Sequence, residues 1–261
     1  MVASGNDFVV VDNRRRMIKD AVAFTREICR LHQGAGADGV LLFETSQKAN
    51  FKMRILNPDG SEAAACGNGF RCIALYAHEI LKYSSLMHFE SGSGLIEAQV
   101  GPRGMVRVQL IKPKIFEKDG VLELKGHRLH YTFLDTGVPH VVIFVEDIEK
   151  AEVVETGRAI RHHPHFQPFG TNVNFVEAKN KKEIAVRTYE RGVENETLAC
   201  GTGSTASAVV SVLKGYAESP VNVSTRGGEK LKIDIRQKGP EILKVFLEGK
   251  AQFVYKGEYY L

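Results

Sequence analysis

Short runs of β-branched and aromatic residues recur along most of the chain, and this pattern predicts a fold dominated by β-strands. The runs occupy residues 8–12, 39–44, 51–56, 106–111, 140–145, 172–177, 184–189 and 243–248. Apolar residues at helical spacing are clearest in three segments, at 21–32, 71–83 and 203–215. The sequence therefore predicts many strands and only a few helices.

The second and third predicted helices each carry an apolar face. These faces consist of Ile73, Tyr76, Ala77, Ile80 and Leu81 in the second helix and of Ala206, Val209, Val210 and Leu213 in the third. Gly215 suits the position just after the third helix, where a left-handed residue commonly ends the last turn. Helices this apolar are expected to be enclosed by sheet.

Two stretches of the chain resemble each other. MRILNPDGSEAAACGNG at 53–69 aligns with VRTYERGVENETLACGTG at 186–203 when one extra residue is allowed in the second copy. The alignment matches Arg54 with Arg187, Asn57 with Glu190, Glu62 with Glu196, and Cys66 with Cys200. Further upstream, SGNDFVVVD at 4–12 aligns with TGVPHVVIF at 136–144 at a nearly equal offset. The chain is therefore predicted to contain two copies of one design.

This duplication predicts an α+β fold with two similar domains, each with a mixed or antiparallel, barrel-like sheet around a central helix. We expect the first domain to span 1–113 and the second 114–249, with the last strand, 250–261, returning to the first. Each domain would present a cysteine just before a helix. The active site is expected in the cleft between the domains, with Cys66 and Cys200 facing each other.

Composition and charge exclude several other classes of protein. Apolar residues make up 43% of the 261 positions and charged residues 25%, which is ordinary for a globular protein. The net charge of +4 is scattered, without a dense basic stripe, so nucleic acid is not an expected partner. No window holds the roughly 18 to 20 apolar residues that span a bilayer, and the N-terminus has no signal-peptide pattern. A cytoplasmic protein with reduced thiols is expected.

The two matched cysteines are the best candidates for chemistry. A cysteine just before a helix lies near backbone N–H groups that lack partners inside the helix, at the positive end of the dipole. This setting is expected to stabilise a thiolate and lower the pKa of the thiol. The neighbouring glycines let the backbone approach closely, so the same N–H groups could hold a carboxylate. Each half is expected to supply one thiol and one anion pocket.

Two equivalent acid–base groups on opposite faces of a bound molecule suit one type of reaction. One group removes a proton from a carbon, and the other delivers a proton to the opposite face, which inverts the stereocentre. The helix N-termini would stabilise the carbanion formed from an amino acid. Cys29 and Cys72 are instead expected in the core. The HHPH run at 162–165 lies in a Pro-rich loop, and no metal site is predicted.

At these residues the sequence resembles the diaminopimelate epimerase family over nearly its whole length. The resemblance rests on SGNDFVVVD, GADGVLLFE, NPDGSEAAACGNGFRC, TGVPHVV, GTNVNF and YERGVENETLACGTG, in that order. It implies an isomerase that interconverts LL- and meso-2,6-diaminopimelate on the route to lysine and peptidoglycan. It further implies a PLP-independent reaction without any cofactor, a homodimer, and a small-molecule substrate as the only other partner.

The resemblance also implies roles for individual residues. The implied catalytic pair is Cys66 and Cys200, with His140 and Glu190 tuning the pKa values of the two thiols. The implied substrate contacts are Asn6, Asn57, Gly67, Asn68, Asn172, Glu190, Arg191, Gly201 and Thr202. In the LL-to-meso direction, Cys200 is taken as the proton acceptor and Cys66 as the donor. Two positions depart from the family pattern, Val138 where Asn is frequent and Gly39 where some members have Gln.

Simpler roles remain open for some of these residues, and so do two other functions. Asn6 and Asn57 could shape turns, Arg191 could form a surface ion pair, and His140 could be a structural histidine. The chain could also be another two-cysteine racemase, such as a proline or hydroxyproline epimerase. It could alternatively be a relative of the same fold with different chemistry, such as the phenazine-biosynthesis isomerase type, but that type lacks the cysteine pair.

Overall fold

A computed structural model of the chain describes residues 1–124, 126–239 and 241–260. The chain divides into two compact units, Met1–Gln109 with Gly249–Leu261, and Leu110–Glu248. Leu261, which ends the segment expected to return to the first domain, lies outside the described residues. Each unit combines β-sheet with two α-helices, β1 and β2 of the first unit forming a small sheet of their own, and the predicted α+β class is confirmed.

The first unit contains two helices and nine short to medium strands. In chain order they are β1 (Val2–Ala3), β2 (Asn6–Asp7), β3 (Val9–Asp12), α1 (Ala21–Ile28), β4 (Val40–Glu44), β5 (Phe51–Leu56), β6 (Glu62–Ala63), α2 (Gly67–Glu79), β7 (Leu86–Ser91), β8 (Gly94–Val100) and β9 (Met105–Leu110). A single turn of 3₁₀-helix, Pro102–Gly104, precedes β9.

The second unit repeats this plan after an additional hairpin. Its elements are β10 (Lys114–Leu124), β11 (His127–Asp135), β12 (Pro139–Phe144), α3 (Val153–Arg161), β13 (Asn172–Asn180), β14 (Glu183–Glu190), β15 (Asn195–Thr197), α4 (Gly201–Leu213), β16 (Val221–Thr225), β17 (Lys230–Lys238) and β18 (Glu241–Lys250). The turns Ile148–Lys150 and Pro164–Phe166 are 3₁₀-helical.

The two units share one topology. In the first unit the sheet order is β3-β4-β5-β7-β8-β9, and in the second it is β12-β13-β14-β16-β17-β18. The first and third pairings in each order are parallel and the others antiparallel. A short strand then pairs with the third strand of each order and leads into the second helix. This strand is β6, paired with β5, in the first unit and β15, paired with β14, in the second. The duplication predicted from the sequence is therefore present in the fold.

The second helix of each unit is enclosed by sheet, as predicted. Residues 203–211 of α4 are all buried, and α4 packs against strands β11 to β14 and β16 to β17 of its own unit. Residues 68–75 of α2 are buried as well. Cys29 and Cys72 are 6% and 0% exposed, so their predicted place in the core is confirmed.

The predicted helix ends were less accurate than the helices themselves. Helix α1 ends at Ile28 rather than at 32, because Cys29 is its C-cap and a turn follows. Helix α2 runs over Gly67–Glu79 rather than 71–83, and α4 over Gly201–Leu213 rather than 203–215. Ile80, assigned to the apolar face of α2, is the C-cap and is 44% exposed. Gly215 has φ +72, the left-handed conformation predicted there.

Helix α3 was not among the predicted helices. It contains a glycine, Gly157, which lowers helix propensity. In the fold this glycine faces Tyr189, and an added Cβ would lie 2.5 Å from the Tyr189 Cβ. The close approach lets α3 pack on β13, β14 and β15. In the part of the chain that the structure describes, no helix is long and apolar enough to cross a bilayer.

Candidate active site

Cys66 is the N-cap of α2, a position set by the backbone rather than by its side-chain type. Its dihedral angles are extended, φ −155° and ψ 109°. The Cys66 carbonyl accepts the Phe70 N–H at 2.8 Å, and its Sγ accepts the Gly69 N–H at 3.4 Å. The thiol therefore takes the place that an Asp, Ser or Asn side chain usually has at a helix N-terminus.

Cys200 repeats this geometry at the start of α4. Its backbone is extended at φ −126° and ψ 110°, and its Sγ accepts the Gly203 N–H at 3.4 Å. The Cys200 carbonyl accepts the Ser204 N–H at 2.8 Å, as Cys66 does with Phe70. The Thr202 Oγ1 also lies 3.4 Å from the Cys200 Sγ. The two cysteines thus share one backbone geometry, each at the N-terminus of a 13-residue helix, although Cys200 is buried and Cys66 only partly so.

An Arg–Glu pair spans the hairpin before each cysteine. The Arg54 guanidinium contacts Glu62 through Nε at 3.1 Å and Nη2 at 2.8 Å. The Arg187 guanidinium contacts Glu196 through the same two nitrogens at 2.6 and 2.7 Å. Bidentate pairs of this kind fix the relative position of two strands. These four residues were matched by the sequence repeat, so the alignment corresponds to a shared structural device.

A glycine turn and a glycine loop contact each cysteine segment. Gly5 and Gly137, aligned in the repeat, both have positive φ, +83 and +110. Beside them, the Asn68 Nδ2 donates to the Asn6 Oδ1 at 2.7 Å in the first unit. The Thr136 Oγ1 donates to the Thr202 carbonyl at 3.2 Å in the second. Each turn therefore lies at the second residue of the cysteine-capped helix.

The glycine loops at Gly92 and Gly227 approach the cysteine segments from another side and were not predicted. A Cβ at Gly92 would lie 2.8 Å from the Ala64 Cα, and one at Gly227 would lie 3.1 Å from the Leu198 Cβ. Ala64 and Leu198 each stand two residues before a cysteine. The available signal was the nearly equal spacing of these glycines from the cysteines: Gly92 follows Cys66 by 26 residues, and Gly227 follows Cys200 by 27.

Arg71 is a fully buried guanidinium in α2 that organises the polar groups of the first unit. Its Nη2 donates to the Asn68 Oδ1 at 2.6 Å and to the Ser4 Oγ at 2.5 Å. The Asn68 Nδ2 donates in turn to the Asn6 Oδ1, and the Asn6 Nδ2 donates to the Asp38 Oδ2 at 3.1 Å. The structure thus brings the predicted site residues Asn6 and Asn68 together. Arg71 was not predicted as part of this group.

The acidity expected for the cysteines does not hold for Cys200. The Thr202 and Gly203 hydrogen bonds do lower the pKa of this thiol, as the helix-terminus argument requires. Burial raises it more, and the Glu190 carboxylate raises it further, so that the pKa is about 12. Cys200 is 9% exposed. In this structure it is therefore a protonated thiol.

Glu190 and Arg191 lie at the end of β14. Burial raises the pKa of Glu190, which the hydrogen bond from the Thr197 Oγ1 partly offsets. The Arg191 guanidinium donates to the Phe169 carbonyl at 2.9 Å through Nη1. Among the described residues it forms no ion pair with a carboxylate. The surface ion pair considered for Arg191 is therefore not found in this part of the chain.

The asparagines predicted as substrate contacts differ in their surroundings. Asn172 is 4% exposed, donates to the Pro139 carbonyl at 2.9 Å, and accepts the Arg191 N–H at 2.8 Å. Its amide thus aligns the backbone of Arg191. Asn57 is exposed and its Nδ2 donates to the Ser61 Oγ at 2.9 Å, within the turn of the NPDG segment. The structure thus gives Asn57 a turn-shaping contact.

His140 is buried completely in β12. Its Nδ1 lies 3.1 Å from the Asn174 Nδ2, while no described group makes a hydrogen bond to its Nε2. Burial, helped by the charge of Arg191, lowers the pKa of His140 to about 3, against the small opposing effect of Asn174. The ring is therefore neutral at physiological pH.

Asn174 holds this ring in place and was not predicted. Its Nδ2 also donates to the Val141 carbonyl at 2.9 Å, and its Oδ1 accepts the Thr188 hydroxyl at 3.0 Å. Both ends of the amide are thus satisfied inside the sheet. The signal in the sequence was an asparagine alternating with apolar residues in NVNFVE, which requires a buried partner.

The pKa of His140 predicts how stability changes with pH. In the unfolded chain its pKa is near 6.5, so below that value the unfolded state binds a proton that the folded state does not. The free energy of unfolding should therefore fall as the pH drops below 6.5. We expect His140 to account for about 2 kcal/mol of the loss between pH 7 and pH 5. Urea unfolding at both pH values measures this loss.

Two histidine variants isolate that contribution. His140→Gln should show a smaller loss of stability between pH 7 and pH 5 than the wild type. His88→Gln, at an exposed position in β7, should keep the wild-type loss. An equal pH dependence in His140→Gln and the wild type would contradict the prediction.

The two departures from the family pattern have simple surroundings. A Cβ at Gly39 would lie 2.7 Å from the Leu56 carbonyl oxygen, so this backbone accepts only glycine there. The Val138 carbonyl accepts the Thr136 N–H at 3.2 Å in the turn before β12. Within the described residues, no group of three or more His, Cys, Asp and Glu side chains is arranged to hold a metal ion.

Comparison with known proteins gives a consistent result. The family model described as diaminopimelate epimerase matches residues 1–115 and 132–254. The diaminopimelate epimerase of Aquifex aeolicus is 46% identical over 266 residues, which cover 97% of this chain and 94% of that protein. The diaminopimelate epimerase of Chlorobaculum tepidum is 40% identical over 260 residues, 98% of each chain.

Solved structures add information about the fold. A phenazine biosynthesis protein of Bacillus anthracis superposes with a TM-score of 0.71 at 13% identity, over 100% of this chain and 95% of that one. A hydroxyproline epimerase of Agrobacterium vitis, with bound trans-4-hydroxy-L-proline, gives 0.66 at 16% identity, over 86% and 76%. At these identities the likeness shows a shared fold alone. The two alternative functions considered from the sequence thus belong to proteins of the same architecture.

Proposed function

Because the chain belongs to the diaminopimelate epimerase family, we propose that it interconverts LL-2,6- and meso-2,6-diaminopimelate with Cys66 and Cys200 as its two proton-transfer groups. The observation that carries this proposal is the equivalence of the two cysteines. Each is the N-cap of a 13-residue helix, with its sulfur 3.4 Å from the third N–H of that helix. An inversion needs two such groups.

The proposed reaction moves one proton off the substrate and one proton onto it. A thiolate removes the α-hydrogen as a proton, and the other thiol delivers its own proton to the opposite face of the carbon. The two cysteines exchange protonation states in each turnover, so the reaction needs no cofactor and no net change of protons. We propose that Val138 and Gly39, the two departures from the family pattern, take no part in this transfer.

The high pKa of Cys200 determines what must precede the transfer. Cys200 is the proposed acceptor in the LL-to-meso direction, yet it is protonated in this structure. It must therefore lose its proton before it acts. The charge of Glu190 raises the Cys200 pKa, and burial raises the pKa of Glu190 itself. We propose that Glu190 tunes the pKa of Cys200 through its own charge.

The carbanion intermediate requires stabilisation at the reacting carboxylate. The first N–H groups of a helix cannot bond to a carbonyl within that helix, and they lie at its positive end. Gly67 and Asn68 in α2, and Gly201 and Thr202 in α4, supply these groups. We assign them to the reacting carboxylate. They are preorganised because each helix is packed into its own unit, so little reorganisation is needed in the transition state.

Arg191 is the proposed contact for the distal carboxylate. Its guanidinium has donors left after the single bond to the Phe169 carbonyl, and carboxylates match its planar geometry. Proline and hydroxyproline have no second carboxylate, so this arginine favours diaminopimelate over those substrates. We also propose Asn6, Asn57 and Asn172 as substrate contacts, and His140 as a residue that tunes the pKa of a cysteine.

The wider setting of the enzyme is also part of the proposal. Both thiols must stay reduced, which suits the cytoplasm. We propose a PLP-independent homodimer that acts there in the biosynthesis of lysine and peptidoglycan precursors. We further propose that the domains 1–113 with 250–261 and 114–249 each contribute one cysteine to a single active site.

Hydrogen exchange at the α-carbon tests the proposal. The reduced protein in deuterated water, without added cofactor, should incorporate deuterium into LL-diaminopimelate and form the meso isomer. L-Proline and trans-4-hydroxy-L-proline should show no exchange under the same conditions. Mass spectrometry and chiral chromatography measure both results. A folded, reduced sample that leaves LL-diaminopimelate unlabelled would refute the function.

A further inference from the structure

The turn at residues 190–194, here called the arginine turn, carries two groups of the proposed site, Glu190 and Arg191. Glu194, at its end, has φ +57, a left-handed conformation that is uncommon for residues other than glycine. The Glu194 N–H donates to the Glu190 carbonyl at 2.8 Å, and the Glu194 Oε1 accepts the Gly192 N–H at 3.0 Å. Glu194 therefore closes the turn on both sides of Arg191.

The carboxylate of Glu194 is also held from outside the turn. The Arg161 Nε donates to its Oε1 at 3.2 Å, and the Tyr189 hydroxyl donates to its Oε2 at 3.2 Å. Burial alone would raise the pKa of Glu194, but the Gly192 N–H and the Arg161 charge bring it below the usual value. Glu194 is thus an ionised group with three donors on its two oxygens.

Arg161 extends this contact to a second segment, residues 166–170, here called the phenylalanine loop. The Gln167 Nε2 donates to the Arg161 carbonyl at 3.4 Å. Gly170 has φ +61, and a side chain there would overlap the Arg161 guanidinium. The Arg191 guanidinium in turn donates to the Phe169 carbonyl. The arginine turn and the phenylalanine loop are therefore joined directly by the Arg191–Phe169 bond and indirectly through Arg161, which bonds to both Glu194 and Gln167.

In the first unit an arginine at the equivalent place holds the corresponding turn through a backbone carbonyl. There an arginine from the first helix, Arg26, donates to the Asp59 carbonyl at 2.7 Å in the turn before β6. A Cβ at Gly60 in that turn would lie 3.1 Å from the Arg26 Nε. An arginine from the first helix thus holds the turn before the cysteine in both units. In the second unit the arginine bonds to the Glu194 carboxylate, whereas the bond found for Arg26 among the described residues is to a backbone carbonyl.

We propose that the Arg161–Glu194 pair is a positioning clamp, which sets the direction of the Arg191 guanidinium and of the Glu190 carboxylate. Neither clamp residue touches the substrate. The long Arg191 side chain would otherwise sample many rotamers, and ordering them would reduce affinity. The consequence for catalysis rests on the proposed function of Arg191, whereas the ordering of the arginine turn does not.

Steady-state kinetics test the catalytic consequence. We expect Glu194→Ala to raise KM for LL-diaminopimelate about tenfold and to lower kcat by less, because a displaced binding group weakens the ground-state and transition-state complexes alike. Glu194→Gln keeps an oxygen acceptor but loses the charge, so its KM should rise about threefold. Glu241→Ala, which removes the exposed ion pair with Lys112 in the same unit, should stay within about twofold of wild type.

A double-variant cycle tests whether the two residues act together. Arg161→Ala should also raise KM, but no more than Glu194→Ala, which loses the Gly192 and Tyr189 bonds as well; the double variant should be no worse than Glu194→Ala within about twofold. If the KM increase in the double variant equalled the product of the two single increases, each residue would act separately and the clamp would be overturned. A KM equal to wild type in Glu194→Ala would overturn it as well.

Amide hydrogen exchange supplies a readout that does not need activity. In Glu194→Ala the amides of the arginine turn should exchange at least about tenfold faster than in wild type, while Glu241→Ala leaves them unchanged. If the wild type fails to epimerise diaminopimelate yet exchange accelerates, the proposed function fails and the clamp on the turn stands. If exchange in the turn is unchanged, the clamp is refuted whatever the activity. Should Glu194→Ala not fold, Glu194→Gln and Arg161→Lys carry the same comparisons.

Discussion

Serine at either Cys66 or Cys200 should lower kcat for the conversion of LL- to meso-diaminopimelate by about a thousandfold or more, because each removes one of two proton-transfer groups. A hydroxyl is a much weaker acid than a thiol, and its conjugate base is hardly populated at neutral pH. Substrate should still bind, since the backbone N–H groups of the two helices remain. Steady-state kinetics that give both kcat and KM for each variant check this result.

The matched control for these variants is Cys72→Ser. Cys72 is fully buried and burial raises its pKa to about 12, so it is an unreactive core thiol. We expect its turnover to stay within about threefold of wild type, although stability should fall by about 1 to 2 kcal/mol because a hydroxyl is buried there. Comparable losses of kcat in all three serine variants would show that cysteine position does not matter, which the mechanism does not allow.

The second large effect is expected at Arg191. Its replacement by alanine should lower kcat/KM for diaminopimelate by about a hundredfold, equivalent to about 3 kcal/mol, since the distal carboxylate loses its charged partner. Most of the loss should appear as a higher KM. Initial rates over a range of substrate concentrations separate the two parameters.

Two further variants distinguish recognition from general charge. Arg191→Lys keeps the positive charge but not the planar fork, so it should recover only part of the lost kcat/KM. Arg158→Ala removes an exposed guanidinium from α3 and should leave both parameters near wild type. Full activity in Arg191→Ala would mean that the distal carboxylate is bound elsewhere.

The repeat was the most informative feature of the sequence. The repeat matched Arg54 to Arg187 and Glu62 to Glu196, and in the structure these residues form two bidentate pairs that the sequence reading did not predict. The same alignment located the two cysteines at equivalent helix starts. Local patterns of this kind are readable because partners lie within about ten residues of each other.

The errors came from effects that the local sequence does not carry. Cysteine is not a usual N-cap residue. The starts of α2 and α4 were therefore predicted from the apolar pattern alone, which places them too late. The pKa of Cys200 depends on burial by strands that are distant in sequence, and this outweighs the helix terminus. Arg161 and Glu194 are 33 residues apart, and neither residue alone signals their contact. Tertiary packing decides the last two.

The enclosure of α4 limits how this protein can change. Residues 203–211 of that helix are buried, so a larger side chain at almost any of them would disturb the packing around Cys200. New substrate preferences, whether selected in nature or introduced by design, must therefore arise in the surface turns that surround the helix start. Libraries aimed at altered amino acid substrates should vary the arginine turn and the phenylalanine loop, and leave the helix untouched.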